Sequence, residues 1–179
     1  MKALLKGLVG LLILLLAIFF AGRLILPETL SVERHVVIAA PPEKIFAVIS
    51  NLRRFNDWSP WAAIDPKAVY KFEGPESGVG QKLTWTSSNP AVGNGAETVT
   101  AVVENQRVAS VIEFAGKGMA ALSMDLAPVD KGTGVTWSFN APIEGTLARW
   151  IVYFFPSNIE GDLGKGLRQL KALVEQPAT

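Results

Sequence analysis

Few residues in this chain have the types that chemistry needs. It has one His, His35, and no Cys among 179 residues. That removes thiolate nucleophiles, disulfides, lipoprotein-type acylation and sulfur-based zinc sites, and leaves imidazole chemistry a single group. Carboxylates are more numerous. General acid–base catalysis would need one of them inside a pocket, beside a neighbour that tunes its pKa. Glu73, Glu113 and Asp125 fall instead on the polar positions of alternating segments, and Asp57 stands where a short helix ends, next to Trp58. His35 sits beside polar positions and reads as a surface group. The run Gly161-Asp162-Leu163-Gly164-Lys165-Gly166 follows no strand, so it is not a phosphate loop; close packing of a helix on a sheet accounts for its glycines. No metal, cofactor or nucleotide site is visible. Seventeen Lys and Arg balance sixteen Asp and Glu, a net charge of +1 that gives no footprint for a nucleic acid.

The elements that must position any site can be read from periodicity. Leu30 to Ala40 is rich in Val and Ile and predicts a strand, stopped by Pro41-Pro42. Glu43 to Ile49 places Ile45, Val48 and Ile49 on one helical face, and Asn51 is suited to cap a second short helix running to about Asp57. From Val69 onward the period becomes two. One face of six expected strands collects Tyr70 and Phe72; Leu83 and Trp85; Val99, Ala101 and Val103; Val108, Ser110, Ile112 and Phe114; Leu122, Met124 and Leu126; Val135, Trp137 and Phe139. The opposite face is polar, which is the pattern of an antiparallel sheet covered on one side. The cover is a helix from about Leu147 to Gln176, where Leu163, Leu167, Leu170 and Val174 form a stripe and Pro156 is expected to interrupt or kink it.

The mean hydropathy, +0.29, is high, and the excess lies at the N-terminus. Gly7 to Gly22 is uncharged and spans about 24 Å as a helix; continuing to Leu26 brings it to about 30 Å, the thickness of a bilayer core. A cleaved secretory signal competes with an uncleaved anchor, but Phe20-Ala21-Gly22 carries a bulky residue where a cleavage site wants a small one. The expected organisation is an anchor over residues 1–27, with the membrane segment at 7–26, followed by a folded domain over 28–179. Lys2 and Lys6 before the span and Arg23 after it place the N-terminus in the cytoplasm and the domain outside the cell membrane. Without those three the domain carries 14 basic against 16 acidic residues and is mildly acidic.

The order strand, two short helices, six strands and a long helix is that of the α+β helix-grip fold, a curved antiparallel sheet of about seven strands. The chain resembles the SRPBCC superfamily, including START-like lipid-binding domains and the polyketide cyclase/dehydrase group. The resemblance runs over residues 30–175. It is carried by Val37-Ile38-Ala39-Ala40-Pro41-Pro42-Glu43-Lys44-Ile45-Phe46, by Trp58-Ser59-Pro60-Trp61, and by Phe72-Glu73-Gly74-Pro75 with Gly78-Val79-Gly80. Further carriers are Val92-Gly93 with Gly95, Gly132-Thr133 with Val135 and Trp137, and Gly166-Leu167 with Leu170-Lys171. A bacterial subgroup similar to this chain also has an N-terminal transmembrane segment. Pro156-Ser157-Asn158 departs from the unbroken last helix of the family.

The resemblance implies an apolar cavity between the sheet and the C-terminal helix. Its expected lining is Tyr70, Phe72, Trp85, Ser110, Ile112, Phe114, Met124, Trp137, Trp150 and Phe154, with the Tyr70 and Ser110 hydroxyls as polar handles. The alternation puts no acid or base among them. A membrane-anchored carrier of a lipid or other hydrophobic small molecule is therefore expected, with no catalytic residue and no cofactor. A cyclase/dehydrase-like enzyme, which requires a cavity-facing acid or base, and a membrane-attached interaction module remain the alternatives.

Overall fold

A computed structural model of the chain describes residues 2–116, 118–154 and 158–176. By contact the chain forms two compact units, Met1–Leu30 with Pro142–Ser157, and Ser31–Ala141 with Asn158–Thr179. Residues 142–157, which follow the last expected strand, thus group with the N-terminal helix.

The larger unit is built on a seven-stranded sheet in the order β1-β7-β6-β5-β4-β3-β2. Its strands are β1 (Thr29–Ile38), β2 (Val69–Glu73), β3 (Lys82–Thr86), β4 (Gly95–Val103), β5 (Arg107–Phe114), β6 (Gly118–Val129) and β7 (Gly132–Pro142). Each neighbouring pair from β2 to β7 is antiparallel. Between β1 and β2 come α2 (Pro42–Ile49) and a 3-10 helix, Leu52–Asp57; α1 (Lys2–Ile25) and α3 (Thr146–Phe154) belong to the smaller unit, and α4 (Ile159–Glu175) follows. This is the expected helix-grip order. α2 begins with Pro at its first position, where no N–H is needed, and buries Ile45, Val48 and Ile49. Asn51 caps the 3-10 helix by accepting from the Arg53 N–H (2.9 Å).

The inner face follows the alternation, with Leu83, Val108, Ile112, Leu122, Met124, Leu126, Val135, Trp137 and Phe139 all buried. β4 departs from it. The register against β5 shifts between Val99 and Ala101, a bulge that absorbs Thr100. Val99 stays inside, but Ala101 and Val103, expected on the inner face, are turned to solvent.

α4 covers the sheet with Leu163, Leu167, Leu170 and Val174, all essentially inaccessible. Gly166 makes that approach possible, since a Cβ there would fall 2.7 Å from Cζ3 of Trp137. The C-terminal end of α4 clamps the end of β1: Lys171 Nζ donates to the Val37 carbonyl (2.6 Å) and Glu175 Oε1 accepts from the Ala39 N–H (2.7 Å). Thr133 Oγ1, wholly buried, donates to the Ala40 carbonyl (2.8 Å) from the start of β7. The α2 junction is held by one side chain. Gln81, buried at the entry to β3, donates to the Ser50 carbonyl (2.7 Å) and the Gly78 carbonyl (3.1 Å) and accepts from the Leu52 N–H (3.0 Å).

The smaller unit contains α1 (Lys2–Ile25) and α3 (Thr146–Phe154). Leu4–Ile25 has the length and composition of a membrane span, with a mean hydropathy of 2.7 and its apolar side chains exposed along nearly all its length; a signal sequence meets the same criteria. The expected interruption at Pro156 falls at residues 155–157, outside the described residues. The flanking segments are two separate helices, α3 and α4.

Two predictions follow from this packing. Gly166→Ala should destabilise by about 1 to 3 kcal/mol through overpacking against Trp137, despite the helix propensity gained. Gly164→Ala, which meets only the Arg168 side chain at 3.4 Å, should instead stabilise by up to about 1 kcal/mol. Gln81→Met leaves the Leu52 N–H and Ser50 carbonyl without their partner and should cost about 2 kcal/mol or more. Denaturant unfolding of the three variants checks all these values, and equal effects of the two glycine substitutions would contradict the first.

Candidate functional site

A cavity on the inner face lies beneath α2 and the 3-10 helix, and no α4 residue lines it. It has a volume of about 30 Å3 and is lined by Ile49, Leu52, Phe55, Trp58, Glu97, Val108, Ser110, Leu122, Ser123, Met124 and Trp137. Its roof comes from the sequence stretch that Gln81 ties down. The walls are aromatic: Trp58 packs edge-on against Trp137 with centroids 5.2 Å apart, and Phe55 packs edge-on against Trp58 at 5.0 Å. Trp61 extends the cluster, 6.2 Å from Trp137.

Glu97 is the residue that sequence reasoning missed. It stands two positions before Val99 on β4, so the pleat puts both on the inner face. Its neighbour across the ladder is Ser110, one diagonal step away, since Ser110 pairs with Val99 and Ile112 with Glu97. The Ser110 hydroxyl donates to Oε1 of Glu97 at 2.6 Å, and both side chains are buried. Burial pushes the Glu97 carboxyl above its ordinary pKa of 4.5, and the Ser110 hydrogen bond opposes the shift only in part. Among the described residues no Lys, Arg or His forms an ion pair with it. Nearby, Nε1 of Trp58 is buried and meets no hydrogen-bond acceptor among the described residues. The signal for Glu97 is the period itself, since the inward alternation of β4 begins two residues before Val99.

Of the ten residues expected to line a cavity, the structure brings Ser110, Met124 and Trp137 to this one. Ile112 is buried on the same face. Trp85 and Phe114 pack edge-on at 6.4 Å. Tyr70 and Phe72 lie on the edge strand β2, half-buried. Phe72 lies under the Arg53 guanidinium at 5.3 Å, and burial, followed by the Asp65 charge, raises the pKa of the Tyr70 phenol. Trp150 and Phe154 stack on each other in the smaller unit, 5.7 Å apart. Asp57, the carboxylate singled out beside Trp58, pairs with Arg54 at the surface (3.1 Å). Glu73 and Asp125 likewise form surface pairs, with Lys71 and Arg107, and Glu113 and His35 are exposed. Among the described residues no cluster of three His, Asp or Glu is placed to hold a metal ion.

Chemically, the cavity offers a carboxyl biased toward its neutral form and a hydroxyl inside an apolar aromatic shell. A neutral carboxyl both donates and accepts hydrogen bonds. The same group, its pKa raised by burial, is also one that can exchange a proton with a bound molecule.

Residues 29–175 match the sequence model of a family described as polyketide cyclase / dehydrase and lipid transport. A search of curated proteins finds no match. Among solved structures, the chain is similar to norcoclaurine synthase from Thalictrum flavum (TM-score 0.62, 16% identity, 83% of this chain and 88% of that one). It is also similar to protein CV1439 from Chromobacterium violaceum (0.59, 22%, 82% and 98%). The Aha1 dimer from Colwellia psychrerythraea shares the fold as well (0.57, 17%, 82% and 96%). The family match takes in every strand of the sheet and the helices packed on it, and on that ground the chain belongs to the polyketide cyclase/dehydrase and lipid transport family.

Proposed function

We propose that the chain is a membrane-tethered binding domain for a small, largely apolar molecule that presents a hydrogen-bonding group to Glu97 and Ser110. The observation that carries this reading is the buried carboxyl in an aromatic-walled cavity. A core built for stability alone gains nothing from a Glu without a cation at a position where Leu or Val would fill the space, because burying the ionised form is costly. The family description, which includes lipid transport, supports the same class of ligand. The tether is α1, on the strength of its length, composition and exposure.

The cavity of about 30 Å3 is far below the roughly 300 to 1,000 Å3 of pockets that enclose drug-sized ligands. Binding therefore involves an opened state in which the 3-10 helix, with Phe55 and Trp58, lifts from the sheet. A second reading, an enzyme in which Glu97 moves a proton, is favoured by the raised pKa of that carboxyl. One substitution separates the two. In native mass spectrometry of the full chain from detergent, a carrier and its Glu97→Gln variant should hold the same molecule, while Glu97→Leu holds none. An enzyme should lose its product, and only Glu97→Gln should retain a ligand, the unconverted substrate. Bare protein in all three samples would reject both readings.

The protonation of Glu97 has its own test. In the unfolded chain it ionises near 4.5, and in the folded chain at a higher pH. Between those two values the unfolded state has released a proton that the folded state keeps, so stability falls as pH rises through that window and is constant beyond it. The difference in Tm between Glu97→Gln and the parent chain should grow from about pH 4.5 upward and then level off. A difference independent of pH would show that the carboxyl is not held neutral by burial.

A further inference from the structure

We infer that α3 is a second membrane contact, lying in the headgroup interface of the bilayer that α1 crosses. The inference rests on the tether reading of α1 and adds to it a surface that no anchor requires. Within the smaller unit α3 packs against the C-terminal part of α1. Trp150 Nε1 donates to the Phe19 carbonyl (3.2 Å), and its ring lies so close to Gly22 that a Cβ there would overlap it. Small residues serve this purpose where membrane helices meet. Arg149 donates to the Arg23 carbonyl and to Glu28 Oε1, both at 2.8 Å.

Phe19 lies six residues before the last residue of α1, Ile25, or about 9 Å along the helix axis. A bilayer that covers the apolar length of α1 therefore reaches the level of Trp150. The outer side of α3 suits that location. Leu147, Ile151 and Phe154, spaced by four and three residues, form one stripe and are 63%, 52% and 64% exposed. Tyr153 stands beside them, and no residue of this nine-residue helix is buried. Trp and Tyr are the side chains that favour the membrane–water boundary. An amphipathic helix there sinks its apolar face about 5 to 10 Å below the headgroups. The one charge on α3, Arg149, is already paired with Glu28 and only 11% exposed, so it enters the interface with its partner in place.

Because the chain has no Cys, single spin labels can be introduced without background. Leu12→Cys in α1, Lys71→Cys on the sheet surface, and Leu147→Cys, Ile151→Cys and Phe154→Cys in α3 all replace exposed side chains. The full chain, reconstituted in vesicles of phosphatidylcholine with a minority of phosphatidylglycerol, is read by power saturation against dissolved oxygen and a water-soluble nickel complex. The three α3 labels should show an oxygen-to-nickel accessibility ratio several-fold above Lys71→Cys and below Leu12→Cys. If Leu12→Cys is deep while the α3 labels match Lys71→Cys, the inference fails and the tether stands. If Leu12→Cys itself matches Lys71→Cys, both fail together. Exclusion of both reagents from the α3 labels would assign the stripe to a protein partner, such as a second copy of the chain, and overturn the bilayer assignment.

Discussion

The site depends on one amide side chain. Gln81 holds Ser50, Leu52 and Gly78 through its side chain, and its backbone carbonyl accepts from the Val99 N–H (3.0 Å). Val99 lies two residues beyond Glu97 on β4. A single residue thus fixes the roof of the cavity and the strand that supplies its carboxyl. No disulfide is available to share the task. The arrangement rests on buried hydrogen bonds, which contribute modestly when made and are costly when broken singly.

The cavity contains two opposed demands. Trp58, Phe55, Trp61 and Trp137 pack as an apolar aromatic cluster. Glu97 and the Trp58 indole N–H are polar groups that water would otherwise satisfy. A low local dielectric strengthens the Ser110 contact and penalises the ionised carboxylate by the same physics. Such sites carry a stability cost that a well-packed apolar core avoids, and in enzymes and carriers alike they are where function is concentrated.

Most of the architecture could be read from local pattern. The two-residue alternation from Val69 onward identifies the covered face, the Leu163-Leu167-Leu170-Val174 stripe identifies the helix that covers it, and Asn51 marks its short helix by its cap. These signals are local, and local sequence specifies them. The errors came from long-range effects. Thr100 carries no mark of a bulge, yet absorbing it turns Ala101 and Val103 outward. Gly166 lets α4 settle directly on Trp137, and the cavity lined by Glu97 and Ser110 lies beneath α2 and the 3-10 helix. Glu97 carries no local mark of its burial, because a charged residue at the start of an apolar alternation looks like its boundary. Trp150 belongs to no part of the sheet pattern, and only its contact with α1 shows what it packs against.

The clamp on β1 bears on how the chain reaches this state. β1 lies beside β7 in the sheet, and its end is held by Lys171 and Glu175 across sequence separations of 134 and 136 residues. At synthesis rates of roughly 5 to 20 residues per second, the strand emerges on the order of ten seconds before its partners exist. Over that interval Val36, Val37 and Ile38 form an unpaired apolar edge, the kind of segment that templates aggregation. Closure of the sheet on β1 must wait for β7, and the clamp on its end for α4, and its speed is governed by the search for distant contacts. The fold is thus assembled last at the strand that was made first.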